Sequence, residues 1–166
     1  MVDKYVNIVA NSYSQIFFSK SKFLGLAIML VTFFDFWIGF MGLLSVIVAV
    51  QTALWFKFDE KKTTAGLYGF NALLVGLGIA VFFGPSIKVV VVVVILAVLT
   101  LLLTLAIEGV LNKYMLPFLS IPFLLAIWII DLSYTNLIGI GVSERGIYQY
   151  SELYSLGGQT LVDLHI

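Results

Sequence analysis

The stretch VVVVVVILAVLTLLLTLAI, from Val89 to Ile107, decides the fold class of this 166-residue chain. It contains no charged residue, and its only polar side chains are Thr100 and Thr104. The hydrocarbon core of a bilayer, about 30 Å thick, is crossed by about 20 apolar residues that rise 1.5 Å each in an α-helix. The stretch therefore predicts a membrane-spanning helix.

The overall composition agrees with this prediction. Hydrophobic residues make up 61% of the chain and charged residues 11%, and the mean hydropathy is +1.11. A soluble domain has roughly 45–50% apolar and about 25% charged residues, because its surface must face water. The excess apolar surface must meet the lipid bilayer, so we predict an all-α membrane protein.

Four more segments have the composition of membrane helices. They are Phe23–Phe34, Phe36–Phe56, Ala65–Phe83 and Met115–Ile130. The first and last are short, and the last contains Pro117 and Pro122. Such segments indicate either helices that end inside the membrane or helices that are kinked or tilted. With Val89–Ile107 they give about five spans.

The two ends of the chain differ from this apolar middle. Tyr5–Phe18 is amphipathic at helical spacing, and it either lies flat on the membrane or dips into it; the period alone favours the surface helix. Residues 131–166 are richer in Tyr, Ser, Gly and charge, as expected of an extramembrane tail or linker. We therefore divide the chain into residues 1–22, an amphipathic segment, 23–130, the membrane region, and 131–166, the tail.

The basic residues predict the orientation. With five spans, the side of the N-terminus carries Lys4, Lys20, Lys22, Lys57, Lys61, Lys62 and Lys113, and the other side only Lys88 and Arg145. Because cytoplasmic loops are enriched in Lys and Arg, we predict a cytoplasmic N-terminus in the plasma (inner) membrane.

The composition also limits the chemistry. There is no cysteine, the single histidine is His165, and the net charge is zero, so we expect no metal site, no cofactor and no nucleic-acid partner. We expect the acidic residues Asp35, Asp59, Glu60, Glu108 and Asp131 to lie at span ends or in loops. Without a nucleophile–base pair or a charge inside a span, the chain suits a small neutral solute and is not expected to be an enzyme.

Two short motifs are the most informative. In GLYGFNALLVGL, Gly66–Leu77, Asn71 either caps a helix that starts within the membrane or lies in a continuous helix whose glycines pack against a neighbour; spacing alone favours the continuous helix. In LPFLSIPF, Leu116–Phe123, Pro122 cannot donate to the Phe118 carbonyl, which leaves that oxygen for another donor. The Ser120 hydroxyl lies in the same stretch and is a second polar group there. Alternatively, this hydroxyl bonds back to a carbonyl of its own helix.

These motifs resemble those of the urea transporter family. GLYGFNALLVGL is similar to its signature, LPFLSIPFLLAIW (Leu116–Trp128) to its second signature, and SQIFF (Ser14–Phe18) to its pore-helix motif. The resemblance covers roughly residues 11–130. It implies one half of an inverted-repeat channel fold with a re-entrant N-terminal pore helix, in which two halves enclose one pore and three subunits form a trimer.

The resemblance also implies a solute pathway. Gln15 would give an oxygen to the ladder that accepts urea N–H groups, Phe18 would form one wall of a flat slot, and Leu74 would press on the path. Ser120 stands where the family commonly has threonine. The candidate pathway residues are Gln15, Phe18, Phe70, Asn71, Leu74, Phe118 and Ser120.

The function implied is passive, selective conduction of urea across the membrane. Because a second pore-helix motif and a second signature are lacking in the 166 residues, we expect a second half-repeat or a second copy to complete the pore. The alternatives are a non-conducting scaffold or accessory half-subunit, and a channel for another small solute such as ammonia or water.

Overall fold

The computed structural model describes residues 2–133, in which helices and turns account for the fold and no β-strand occurs. Its helices are α1 (Val2–Ser14), α2 (Lys22–Thr32), α3 (Phe36–Trp55), α4 (Glu60–Thr64), α5 (Phe70–Phe82), α6 (Ile87–Leu111) and α7 (Ile121–Ser133). Short 3-10 turns, Gln15–Phe17 and Asn112–Tyr114, follow α1 and α6. The all-α prediction is confirmed. The tail prediction lies outside the described residues from 134 onward.

Two described helices are long and apolar enough to cross a membrane by themselves, α3 and the run Ile87–Tyr114 that contains α6. A third crossing exists if α1 and α2, which meet at an angle of 84°, act as one broken span. Helices α5 and α7 are apolar but shorter. These helices make the chain a membrane protein, while the count of five spans stays a prediction.

Helix α1 is packed among other helices along much of its length. It contacts α2, α3, α4 and α5, and Ile8, Ser12 and Tyr13 are buried. A Cβ added at Gly25 of α2 would lie 1.9 Å from the Ala10 carbonyl oxygen, so the two helices touch backbone to backbone. The pair has the geometry of a broken span or a re-entrant loop, which differs from the surface helix that the period favoured.

The core lies between α3, α5 and α6. Helices α3 and α5 approach closely at Gly76, which has no side chain: a Cβ there would lie 2.5 Å from the Met41 carbonyl oxygen. Across the same contact Ser45 donates to the Ala72 carbonyl oxygen. At the other end of α5 the Trp37 indole N–H donates to the Phe83 carbonyl oxygen at 3.0 Å. The glycine packing proposed for this part of the signature is therefore present.

The signature is nevertheless not one continuous helix. Residues 65–69 form turns, and α5 begins only at Phe70. Gly69, without a side chain, stands at the capping position, and Asn71 lies in the first turn of the helix. The favoured continuous helix was therefore wrong, because the Gly66 backbone leaves the helical region at φ +81°. The alternative, a helix that starts here, is the one found, but its cap is Gly69 rather than Asn71.

The second motif is also broken, but not in the way the proline suggested. Residues 115–120 are irregular, and α7 begins at Ile121. Pro122 thus stands in the first turn, where its missing N–H would have no partner within the helix. As expected, the Phe118 carbonyl oxygen has a donor other than Pro122, and this donor is the backbone N–H of Ile121 in the same turn, at 3.2 Å.

Candidate functional site

The turn between α4 and α5, residues 65–69, is shaped by close contact with α1. A Cβ at Gly66 would lie 2.4 Å from the Ser12 backbone nitrogen, and one at Gly69 would lie 2.3 Å from the Ser12 hydroxyl oxygen. Only glycine fits at either position without displacing α1. The turn and the C-terminal half of α1 therefore form one packed unit.

Two amide side chains bind this unit together. The Asn11 Nδ2 donates to the Thr64 carbonyl oxygen at 2.7 Å, and the Gln15 Nε2 donates to the Ala65 carbonyl oxygen at 3.1 Å. A carbonyl can only accept, so the Gln15 nitrogen must face Ala65 and its Oε1 must face away. Gln15 is thus anchored through its donor end and keeps an acceptor oxygen for another group.

On the opposite side the turn is tied to α6 through Glu108. The Tyr68 hydroxyl donates to Glu108 Oε2 at 3.2 Å, and the Lys62 ammonium forms an ion pair with Glu108 Oε1. Glu108 is only 7% exposed. Glu108 lies in the last turn of α6, at a span end as expected, but it is buried rather than solvated, because a neighbouring lysine and a tyrosine satisfy its charge.

A sequence signal for this burial exists. Thr100, Thr104 and Glu108 follow each other at intervals of four residues on α6, which places them on one helix face. All three are buried. Polar residues on one face of an otherwise apolar helix indicate that this face packs against other helices and not against lipid.

Asn71 is the buried polar group nearest to the second motif. It is 0% exposed, and its Nδ2 donates to the Leu119 carbonyl oxygen at 3.1 Å. Its Oδ1 is buried without a hydrogen-bond partner among the described residues. Like Gln15, Asn71 is anchored to a backbone carbonyl through its nitrogen and keeps an oxygen acceptor.

Aromatic rings adjoin Asn71. The Phe70 and Phe118 rings are stacked, with centroids 6.2 Å apart and planes 28° apart. Ser120 lies two residues beyond Phe118 and just before α7, so it has no preceding helical turn to which its hydroxyl can bond back. The structure thus brings together four of the predicted residues, Phe70, Asn71, Phe118 and Ser120.

The other three predicted residues are distributed around α5. Phe18 follows the 3-10 turn in a left-handed conformation, φ 52°, and its ring is exposed. Leu74 is half-buried one turn along α5 from Phe70. The turn that contains Gln15 contacts α5, and so does α7. Helix α5 therefore links the Gln15–Phe18 group to the Phe118–Ser120 group.

In an all-α membrane protein, short apolar helices that start at turns held by side-chain amides are an arrangement that also occurs in transporters for small solutes. Comparison with known proteins gives the family. Residues 6–163 match the family model described as "Urea transporter". The chain belongs to the urea transporter family.

Curated relatives agree with this assignment. Urea transporter 1 of sheep (Ovis aries) and of goat (Capra hircus) are each 28% identical to this chain over 128 residues, which is 75% of this chain and 33% of the relative. Urea transporter 1 of mouse (Mus musculus) is 28% identical over 131 residues, or 76% of this chain and 34% of the relative. The chain spans about one third of the length of the curated relatives it matches.

Proposed function

We propose that this chain supplies one half-repeat of a pore that conducts urea passively down its gradient. The observation that carries the proposal is that the side-chain amides of Gln15 and Asn71 are hydrogen-bonded in the same way. Each amide is fixed through its nitrogen to a backbone carbonyl oxygen, and each keeps an oxygen to accept a hydrogen bond. Urea presents N–H donors along its edges, which is the complement of such oxygens.

The chemistry of urea suits this arrangement. Removing water from a polar solute costs several kcal/mol unless new hydrogen bonds replace those lost, and the amide oxygens replace some of them. The Phe18 ring and the stacked Phe70–Phe118 pair offer flat apolar surfaces to a planar molecule. Leu74 and Ser120 complete the proposed pathway by limiting its width. A hydrated ion would lose too much solvation in such a slot.

The remaining parts of the proposal rest on family membership and charge. A second half-repeat would close the pore, supplied by another segment, another chain or another copy, and the family assembly would be a trimer. We place the N-terminus on the cytoplasmic side of the plasma (inner) membrane. In support, Lys57, Lys61 and Lys62 lie in or beside α4, and Lys4 of α1 pairs with Glu60 of α4, so several lysines gather at this end of the bundle, as expected of a cytoplasmic face.

The alternative function is that of a non-conducting scaffold or accessory half-subunit, for which half of a pore suffices. A pore for ammonia or water differs from the urea pore in a testable way, since neither solute needs two acceptors at the spacing of a planar amide.

The test is stopped-flow light scattering on vesicles that contain the purified chain under an inward urea gradient. If copies of this chain complete the pore, we expect urea uptake well above that of empty vesicles, little uptake of glycerol, and slower uptake for Gln15→Leu and for Ser120→Val with folding intact. Uptake that is unchanged in both variants would remove these residues from the pathway. Folded, inserted protein without urea uptake would contradict conduction by copies of this chain alone; the pore would then need a second half-repeat from another chain or segment, unless the chain is the accessory half-subunit.

A further inference from the structure

We propose that Asn71 is a positioning residue whose amide N–H holds Leu119 in a left-handed turn and thereby orients Phe118 and Ser120 at the start of α7. The inference concerns the donor end of Asn71, whereas the proposed function uses its acceptor end. Only its consequence for flux rests on the proposed function.

The backbone at Leu119 needs an external constraint. Its φ is +44°, a region that glycine enters freely and that L-residues with a Cβ avoid. Asn and Asp tolerate this region because their side chains can bond locally, but leucine has no such group. The Leu119 side chain is also 46% exposed, so packing of that side chain does little to hold the turn.

The constraint on the turn comes from the amide of Asn71. Its Nδ2 donates to the Leu119 carbonyl oxygen at 3.1 Å across 48 residues of sequence. The carbonyl precedes α7, outside the ladder of backbone hydrogen bonds that begins with Leu124 N–H donating to the Ser120 oxygen at 3.1 Å. The backbone bond from the Ile121 N–H to the Phe118 oxygen, 3.2 Å, closes the turn itself, and the Asn71 side chain ties the peptide plane that follows the strained residue to α5.

The donor, Asn71, lies in the buried core of the bundle. Asn71 is fully buried in the first turn of α5, and the next residue, Ala72, is bound by the Ser45 hydroxyl from α3. The stacked rings of Phe70 and Phe118 give a second point of attachment between the same two segments. The turn around Leu119 is thus held in position by its contacts with the buried start of α5.

Phe118 and Ser120 flank the strained residue directly. If Leu119 relaxed to negative φ, the chain direction on one side of it would rotate relative to the other. The Phe118 ring and the Ser120 hydroxyl would then change their positions relative to each other. Asn71 would therefore affect two proposed pathway residues without having to contact the solute itself.

The experiment uses glycine at position 119 as a test of rescue. Asn71→Leu removes the donor at similar size, and Leu119→Gly removes the steric cost of positive φ. Leu119→Ala is the matched control, because it also shortens the side chain but retains the Cβ that makes positive φ costly. Asn71→Ala serves as a second donor-free variant.

Two readouts are measured in reconstituted vesicles. The first is urea permeability. The second is the labelling rate of a Ser120→Cys reporter with a water-soluble thiol reagent, which needs no flux and is unambiguous because the 166 residues contain no cysteine. We expect Asn71→Leu to lower urea permeability by about tenfold, the ratio that corresponds to one hydrogen bond, and to change the labelling rate of the reporter.

Adding Leu119→Gly to Asn71→Leu should restore most of both values, and adding Leu119→Ala should not. If either donor-free variant folds only together with Leu119→Gly, that selective rescue supports the inference equally. Equal rescue by glycine and alanine, or none by either, would overturn it. A wild-type chain that lacks urea flux on its own, but whose labelling follows this pattern, would count against conduction by copies of this chain and leave the positioning role intact; normal flux with labelling unaffected by Asn71→Leu would refute the positioning role alone.

Discussion

Helices α5 and α6 lie side by side in the core, and both are strongly apolar, but they are held in different ways. Helix α6 runs for 25 residues from a Ser86 cap, and one of its sides exposes Val91, Ile95 and Leu102, as expected against lipid. Helix α5 has 13 residues, too few to cross a bilayer core. Its beginning depends on a turn tied by side chains from α1 and α6.

The difference shows at which sequence positions the identity of the side chain matters for the fold. A long apolar helix satisfies its own backbone, and its outward residues need only be apolar. A short helix that begins among other helices leaves polar backbone groups that neighbouring side chains must satisfy. Substitutions should therefore be tolerated on the outward side of α6 and costly around residues 65–71, and the predictions below test this contrast in order of expected effect.

The largest effect is expected from Gly66→Ala. Alanine would have to adopt φ +81° and place its Cβ 2.4 Å from the Ser12 backbone nitrogen, and strain and overpacking together should cost about 3 kcal/mol or more. The control is Gly109→Ala on α6, where a Cβ meets nothing within 4 Å and helix propensity should add roughly 0.5–1 kcal/mol of stability. Unfolding in detergent measures both. Equal stabilities for the two variants would show that the turn is not tightly packed.

A smaller loss is expected when the tie between the turn and α6 is broken. Lys62→Met leaves the Glu108 carboxylate, with a side chain only 9% exposed, without its ion-pair partner. Breaking a fully buried pair costs about 3–5 kcal/mol; because the Lys62 side chain is 34% exposed and water reaches this end of the bundle, we expect about 2 kcal/mol. Unfolding in detergent at neutral pH measures the loss.

Tyr68→Phe is the companion variant, since it removes only the hydroxyl that donates to Glu108. Its cost should be about 1 kcal/mol, the value of one hydrogen bond. If Lys62→Met were neutral while Tyr68→Phe was costly, the hydrogen bond rather than the ion pair would hold the turn.

Ser45 offers a finer test of the same contrast. Its hydroxyl donates from α3 to the Ala72 carbonyl oxygen of α5, whereas the Thr104 hydroxyl donates within α6 to the Thr100 carbonyl oxygen at 2.8 Å. Ser45→Ala should cost about 0.6–1 kcal/mol, as for hydrogen bonds between membrane helices. Thr104→Val, which keeps the shape, should be close to neutral. A larger loss for Thr104→Val would mean that α6 also depends on its polar groups.

The same contrast explains how far the sequence could be interpreted. Helix α6 was predicted as Val89–Ile107 and found as Ile87–Leu111, because a long uncharged run has one structural solution in a bilayer. The start of α5 was only the less favoured of two alternatives, because it depends on Gly66 at positive φ and on contacts with residues over 50 positions away. The local spacing of residues indicates neither the positive φ nor these long-range contacts.

The candidate site shows the same limit. The residues Asn71 and Ser120 were selected from motifs, but the hydrogen bond from Asn71 to Leu119 was not foreseen, because a backbone carbonyl leaves no mark on the sequence. Leu119 itself was missed, since leucine gives no sign of a left-handed conformation. The burial of Glu108 was missed because this residue stands near the end of an apolar run, where a carboxylate is usually solvated. Its spacing from Thr100 and Thr104 was the available signal.

The smallest effect is expected at the exposed ion pair between Lys4 and Glu60, which is the surface counterpart of the Lys62–Glu108 pair. The hydrogen bond from Lys4, together with its charge, lowers the pKa of Glu60 below its usual value. A carboxyl whose pKa is depressed in the folded state contributes stability above its unfolded pKa, about 4.3, and loses it as the pH falls through the folded pKa.

Glu60→Gln should therefore leave the unfolding midpoint almost unchanged at pH 7, because the side chains of Lys4 and Glu60 are 51% and 72% exposed and water screens their attraction. The small difference from wild type should shrink as the pH is lowered below about 4, and also in high salt. Thermal unfolding at both pH values, with and without added salt, measures this. A loss at pH 7 as large as that of Lys62→Met would mean that position in the bundle does not distinguish the two pairs, and the contrast between the tied turn and the solvated surface would fail.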